Sequence, residues 1–219
     1  MSVAEALDST PPGSRRERRK LEVRGRILDA AKELFEERGI EETTVAQIAE
    51  QADVATKTVF NHFPTKQNIV DALAHHAIEL FVEDLAGLRT EARDLPDWLR
   101  RFFDQIAESV SEAGPMHREY ITEIVRALSS DGDRPGRARR LREVFLDVVR
   151  DGVARGEVNT RHEIETQSDL IIGAFYSLMF SWTNLESYPI RRRARALARL
   201  LGETLSSRNY EQEQSNGTS

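Results

Sequence analysis

Apolar side chains recur along this chain at three- and four-residue intervals, broken by glycine, proline and short polar runs, and nowhere alternate as a half-buried strand requires. The periodicity predicts an all-α fold. A first helix runs from about Lys20 to Arg38, with Val23, Ile27, Ala30, Ala31, Leu34 and Phe35 on one side. Gly39 should stop it in left-handed backbone, with Ile40 folding back on Phe35 as in a Schellman motif. Two short helices follow, meeting at a turn on Asp53. The first opens on a capping box, Thr44 with Gln47 three residues on, and carries Val45, Ile48, Ala49 and Ala52 on one face. The second buries a single stripe, Ala55, Val59 and Phe63. A long fourth helix, capped by Thr65, runs from Lys66 to about Leu88 with Ile69, Val70, Leu73, Ala77, Phe81, Val82 and Leu85 as its core side.

From Pro96 onward the pattern stays helical. Trp98, Leu99, Phe102, Phe103, Ile106 and Val110 make one helix, ended by Gly114-Pro115. Met116, Tyr120, Ile121, Ile124, Val125 and Leu128 make another, and a third spans about Arg137 to Arg155 and stops at Gly156. The next, about Ile164 to Glu186, is apolar nearly all round from Leu170 to Trp182, which fits either a fully internal helix or one with a second partner. The last, about Ile190 to Ser206, carries Ala194, Leu197, Leu200, Leu201 and Leu205. The expected organisation is about nine helices: a helix-turn-helix domain over 15–66, an antiparallel helical bundle over 67–206, and disordered tails at 1–14 and 207–219.

Composition narrows the function. With 219 residues, 39% apolar and 31% charged, the chain can bury a sizeable core, and without cysteine it has neither disulfides nor thiolate metal sites. Its start carries Glu5 and Asp8 and no apolar core, and the longest uncharged run, Leu170 to Leu185, is too short to span a bilayer. A cytoplasmic, non-membrane protein is expected. No Gly-x-Ser-x-Gly, phosphate loop, dinucleotide fingerprint or His-Glu-x-x-His occurs, so no enzyme and no cofactor are expected. Asp71, His75 and Glu79 have metal-ligand spacing on one helical face, but such trios are more often a solvated charged face, and no metal is assigned.

Acids outnumber bases 37 to 31, yet Val54 to Val70 contains no Asp or Glu. In that gap, opposite the buried stripe, stand Lys57 and Asn61, flanked by Thr56, Thr58, Phe60 and His62. Such a face offers donors and methyl groups to base edges and phosphates, with no carboxylate to repel them. It reads as a recognition helix entering a major groove. Ahead of it, Ser14 to Arg26 holds seven basic side chains, Arg15, Arg16, Arg18, Arg19, Lys20, Arg24 and Arg26, against Glu17 and Glu22. Placed there, the run reads as a basic arm along phosphates or in the minor groove. Lys66, at the head of the fourth helix, is a phosphate candidate; His62 is either a phosphate contact or half-buried beside Phe63, and Phe60 either a DNA contact or an outlying core aromatic.

Residues 20–66 resemble the DNA-binding domain of the TetR family of bacterial transcriptional repressors, in the segments Ile27 to Phe35, Thr44 to Ala49 and Thr58 to Lys66. Three positions depart from the family pattern: Asp53 stands where Gly is usual, Ala55 where Ser is usual, and Phe60 where Tyr is common. The resemblance implies DNA contacts at Thr58, Phe60, Asn61, His62 and Lys66, and Thr44 completes the candidate set. It further implies a homodimer through the last two helices on a palindromic operator. A small-molecule effector is expected among the central helices, where Phe102, Phe103, Ile106, Met116, Tyr120, Ile124, Phe145 and Phe175 are candidates, and its binding would release a repressor from DNA.

Overall fold

A computed structural model describes residues 14–112, 118, 121–126 and 137–207. Among them lie eight helices: α1 Arg15–Arg38, α2 Val45–Gln51, α3 Thr56–His62, α4 Lys66–Glu91, α5 Leu95–Glu112, α6 Arg137–Ala154, α7 Ile164–Asn184 and α8 Ile190–Leu205. Residues 121–126 are helical too. The described residues contain no strand, only an isolated antiparallel bridge between Val158 and Ser206, and the all-α expectation holds.

The first helix begins five residues earlier than its apolar pattern. Ser14 and Glu17 form a capping box, with Ser14 N–H donating to Glu17 Oε2 at 2.7 Å and Glu17 N–H to Ser14 Oγ at 3.4 Å. The arginines expected on an arm are therefore the opening turns of α1. Its other end also differs. Gly39 stops the helix with the expected positive φ, 86°, and its N–H donates to Phe35 O at 3.0 Å, but its ψ of 164° is not that of the expected Schellman cap. Thr43 finishes the job: its buried hydroxyl lies 2.8 Å from Gly39 O and 3.3 Å from Leu34 O, one proton shared between two carbonyls.

The chain divides into two compact units. The first runs through Glu79 and takes in 121–126; its core is built by Ile27, Ala31, Phe35, Ile48, Val59, Phe63, Ile69 and Leu73. This unit passes the expected boundary at Lys66, because the opening turns of α4 bury Ile69, Val70 and Leu73 in the same core. The second comprises Leu80–Glu112 and 137–207. In it α5 and α8 run antiparallel. Arg195 Nε reaches Asp104 Oδ1 at 3.5 Å and Arg191 Nε reaches Ser111 Oγ at 3.2 Å, while a Cβ at Gly202 would stand 3.5 Å from that of Pro96.

Two charged clusters pin the second unit. The buried Asp97 carboxylate accepts from Arg100 at 2.7 Å and Arg101 at 3.1 Å and from the Arg93 amide at 3.3 Å; these bonds, Arg100's foremost, hold it far below the ordinary carboxylate range. Arg89, on α4, donates to Asp151 at 2.6 Å and Asp147 at 3.0 Å on α6. The loop after α6 closes on the end of α8. There Asn159 N–H donates to Leu205 O at 2.9 Å, and Ser207 donates through its amide to Glu157 O and through its hydroxyl to Gly156 O. Ser14 and Ser207, both expected in disordered tails, are tied into structure; residues 1–13 and 208–219 lie outside the described residues.

Helix α7 is not buried all round. Ser168, Ile171, Phe175, Leu178, Met179 and Trp182 face inward, while Leu170 and Phe180 are exposed, as are Leu185 just beyond it and Leu200 on α8. Gly173 lies on the exposed side, and a Cβ there would meet nothing within 4 Å. No helix among the described residues is long and apolar enough to cross a membrane.

Candidate nucleic-acid interface

Helix α2 is closed at both ends. Thr44 N–H donates to Gln47 Oε1 at 2.9 Å and Gln47 N–H to Thr44 Oγ1 at 3.3 Å, the expected capping box. At its C-terminus Val54 N–H reaches Ala49 O at 2.9 Å and Asp53 N–H reaches Glu50 O at 3.1 Å. These are the two bonds of a Schellman motif, found at this turn and not at Gly39. Asp53 takes the left-handed position with φ 52°, and its exposed carboxylate stands 4.0 Å from Arg26.

Helix α3 starts on Ala55, which supplies no side-chain acceptor. Ala55 itself is exposed, so the buried stripe reduces to Val59 and Phe63. These two orient everything else. With them turned inward, Thr56, Lys57, Phe60 and Asn61 are exposed and Thr58 is half-buried. Phe60 is 47% exposed, which rules it out as a core aromatic.

His62 takes the half-buried of its two alternatives, and Lys66 bonds within the protein. The His62 ring is half-buried, its Nδ1 without a partner, and burial first, then the nearby Lys20 and Arg24 charges, push its pKa down. Burial and these positive neighbours disfavour a cationic phosphate contact. The Lys66 ammonium donates to Ile40 O at 2.6 Å, Thr43 O at 3.0 Å and Glu41 O at 3.1 Å. An ammonium has three protons, and all three are placed. Lys66 thus ties the head of α4, where Thr65 and Asn68 form a capping box, to the segment between α1 and α2.

The geometry adds residues to the set. Arg24 lies 4.1 Å over the Phe63 ring and donates to His62 O at 3.4 Å, riveting α1 to the end of α3. Lys20 stands near enough to act on His62. Arg15, Arg16, Arg18 and Arg19 are exposed on the same helix, Arg18 in a loose 3.9 Å pair with Glu22. The basic run and the carboxylate-free face therefore belong to one three-helix unit.

The effector candidates divide. Phe102, Phe103, Ile106, Phe145 and Phe175 are buried in the second unit, where Phe102 meets Phe103 at 4.9 Å, Phe145 at 5.4 Å and Phe175 at 5.8 Å between ring centres. Trp98 and Phe81, not among the candidates, complete the cluster: Trp98 stacks on Phe102 at 5.1 Å and Phe81 on Phe175 at 5.7 Å. The rings pack on one another. Ile124 belongs elsewhere, against the core of the first unit, because its helical turn packs there. Met116 and Tyr120 lie outside the described residues. Of the metal-spaced trio, Asp71 accepts from Gln67 at 3.0 Å and His75 Nδ1 bonds its own helix at Asp71 O.

Residues 27–73 match the model of bacterial regulatory proteins of the TetR family. The chain is 27% identical over 192 residues to the HTH-type transcriptional regulator LuxR of Vibrio harveyi, covering 78% of this chain and 84% of the relative. Its fold is similar to that of a TetR-family transcriptional regulator from Pectobacterium atrosepticum, with a TM-score of 0.71 at 21% identity over 89% of this chain and 98% of the other. It is also similar to Thermus thermophilus FadR, a repressor solved with lauroyl-CoA, with a TM-score of 0.60 at 22% identity over 82% and 93%.

Proposed function

We propose that this chain, a transcriptional regulator of the TetR family, binds a palindromic operator as a homodimer and is released as a repressor when a small molecule enters its second unit. One observation carries the DNA reading: Val59 and Phe63 are buried, so Lys57, Phe60 and Asn61 project together from a helix with no acidic side chain. Asn61 and Lys57 read base edges in the major groove, Thr56 and Thr58 flank them, and Phe60 lies on sugar or a thymine methyl. Arg15, Arg16, Arg18, Arg19 and Lys20 meet phosphates from the opening turns of α1. Thr44 shapes the head of α2, while His62 and Lys66 hold the frame.

The dimer reading is supported by the exposed Leu170, Phe180, Leu185 and Leu200, apolar surface on and beside α7 and α8 that a second copy would cover. Two-fold pairing sets half-sites one helical turn, about 34–36 Å, or a multiple apart. For the effector, the ring cluster around Phe102 is the apolar body of the second unit, and a ligand there must repack rings now in contact. Thermus thermophilus FadR, similar in fold, binds lauroyl-CoA, whose acyl chain is apolar, which supports an effector with an apolar portion here.

The test is a binding titration on DNA flanking the gene. Asn61→Ala should cost about 1–3 kcal/mol on the operator and little on random DNA. Equal losses on both would remove Asn61 from the reading set. Failure of the wild-type protein to prefer any flanking segment would end the regulator reading itself.

A further inference from the structure

We propose that the cleft between α5 and α8 is a binding site for a small organic oxyanion, a carboxylate or phosphate ester with an apolar body, gripped by Arg195 and Arg199. The cleft has a volume of about 510 Å³, within the range of small-molecule sites. It lies within the second unit and does not involve the ring cluster. Its floor is apolar, made by Pro96, Ala198 and Gly202, where α8 comes close to α5.

The three guanidinium groups lining the cleft are incompletely matched by acids. Arg100 spends its short bond, 2.7 Å, on Asp97 below and stands 3.6 Å from Asp104. Arg195 has the same Asp104 at 3.5 Å. Arg199 makes no ion pair or hydrogen bond with any described residue, although it lines the cleft together with Glu203. Arg195 and Arg199 are one turn apart on α8, so both forks reach the same space. A guanidinium fork matches two oxygens of a carboxylate or phosphate in a way an ammonium cannot. Two forks above a methyl- and methylene-lined floor select an anion that carries a hydrocarbon portion over a bare ion.

Isothermal titration of the full chain with hexyl phosphate, hexanoate and inorganic phosphate tests the site, using wild type, Arg199→Gln, Arg195→Gln/Arg199→Gln and, as a control on the other side of α8, Arg193→Gln. The expected result is one equivalent of hexyl phosphate or hexanoate per subunit, weakened about tenfold by Arg199→Gln, lost in the double variant and unchanged in the control. Whichever hexyl compound binds tighter identifies the headgroup. No binding by either, equal binding by all four proteins, or inorganic phosphate binding as tightly as hexyl phosphate would overturn the proposal. The titration contains no DNA, so its outcome is independent of the regulator reading.

Discussion

Helices α2 and α3 are neighbours of equal length, yet α2 is closed at both ends and α3 is left open at its start. Thr44 and Gln47 satisfy the first amides of α2, and the Asp53 turn satisfies its last carbonyls. Helix α3 begins on Ala55, with no side-chain acceptor, and is held by Val59 and Phe63 from below. The difference teaches where local stability is needed. The turn that sets the angle between the helices is fixed by hydrogen bonds, whereas the exposed face is positioned by packing and keeps its side chains available.

The largest test of that contrast removes the packing. Phe63→Ala should cost about 3–5 kcal/mol, because it empties a fully buried site and takes the platform from Arg24. Thermal unfolding would measure it, and a loss below about 1 kcal/mol would mean α3 is held by something else. Next comes the Lys66 tie. Lys66→Met strands three carbonyls, should cost about 1–3 kcal/mol of stability, and should weaken operator binding without changing its salt dependence. A salt slope flatter by about 1 would instead return Lys66 to the phosphate contacts.

The caps come third, and they have opposite signs. Thr44→Ala should destabilise by about 1 kcal/mol, while Ala55→Ser should stabilise by about 0.5–1 kcal/mol, since the missing acceptor is at α3 and not at α2. Denaturant titration of both variants would break the comparison if the signs agreed. The smallest effect is in pH. His62 is depressed in the folded state, so the unfolded chain takes up its proton first: stability is full above the ordinary histidine value of 6.5 and declines as pH falls below it. His62→Gln should remove that part of the acid slope, seen as a flatter dependence of the unfolding midpoint on pH.

Much of this was readable in one dimension. The apolar stripes mark every helix among the described residues, because period alone decides which side faces a core, and the Thr44 box is legible because its partners are three residues apart. The Ser14 box has the same spacing, but it precedes a run of arginines that carries no apolar stripe to mark a helix start. Other features depend on distant partners. Nothing local marks Lys66 as a donor to carbonyls more than twenty residues earlier. For the same reason Ile124 looked like a member of the ring cluster. Its helical period was right, but period does not say which core a helix joins.

Gly173 sits mid-helix in α7 with open space where its side chain would be, and a glycine there weakens the helix by roughly 0.5–1 kcal/mol relative to alanine. Among the described residues, nothing stands close enough to exclude a methyl group there. Were a second copy to cross α7 at this point, as in the proposed dimer, that open space would let the two backbones draw together, and the smallest residue on the face would register the spacing of the reading heads.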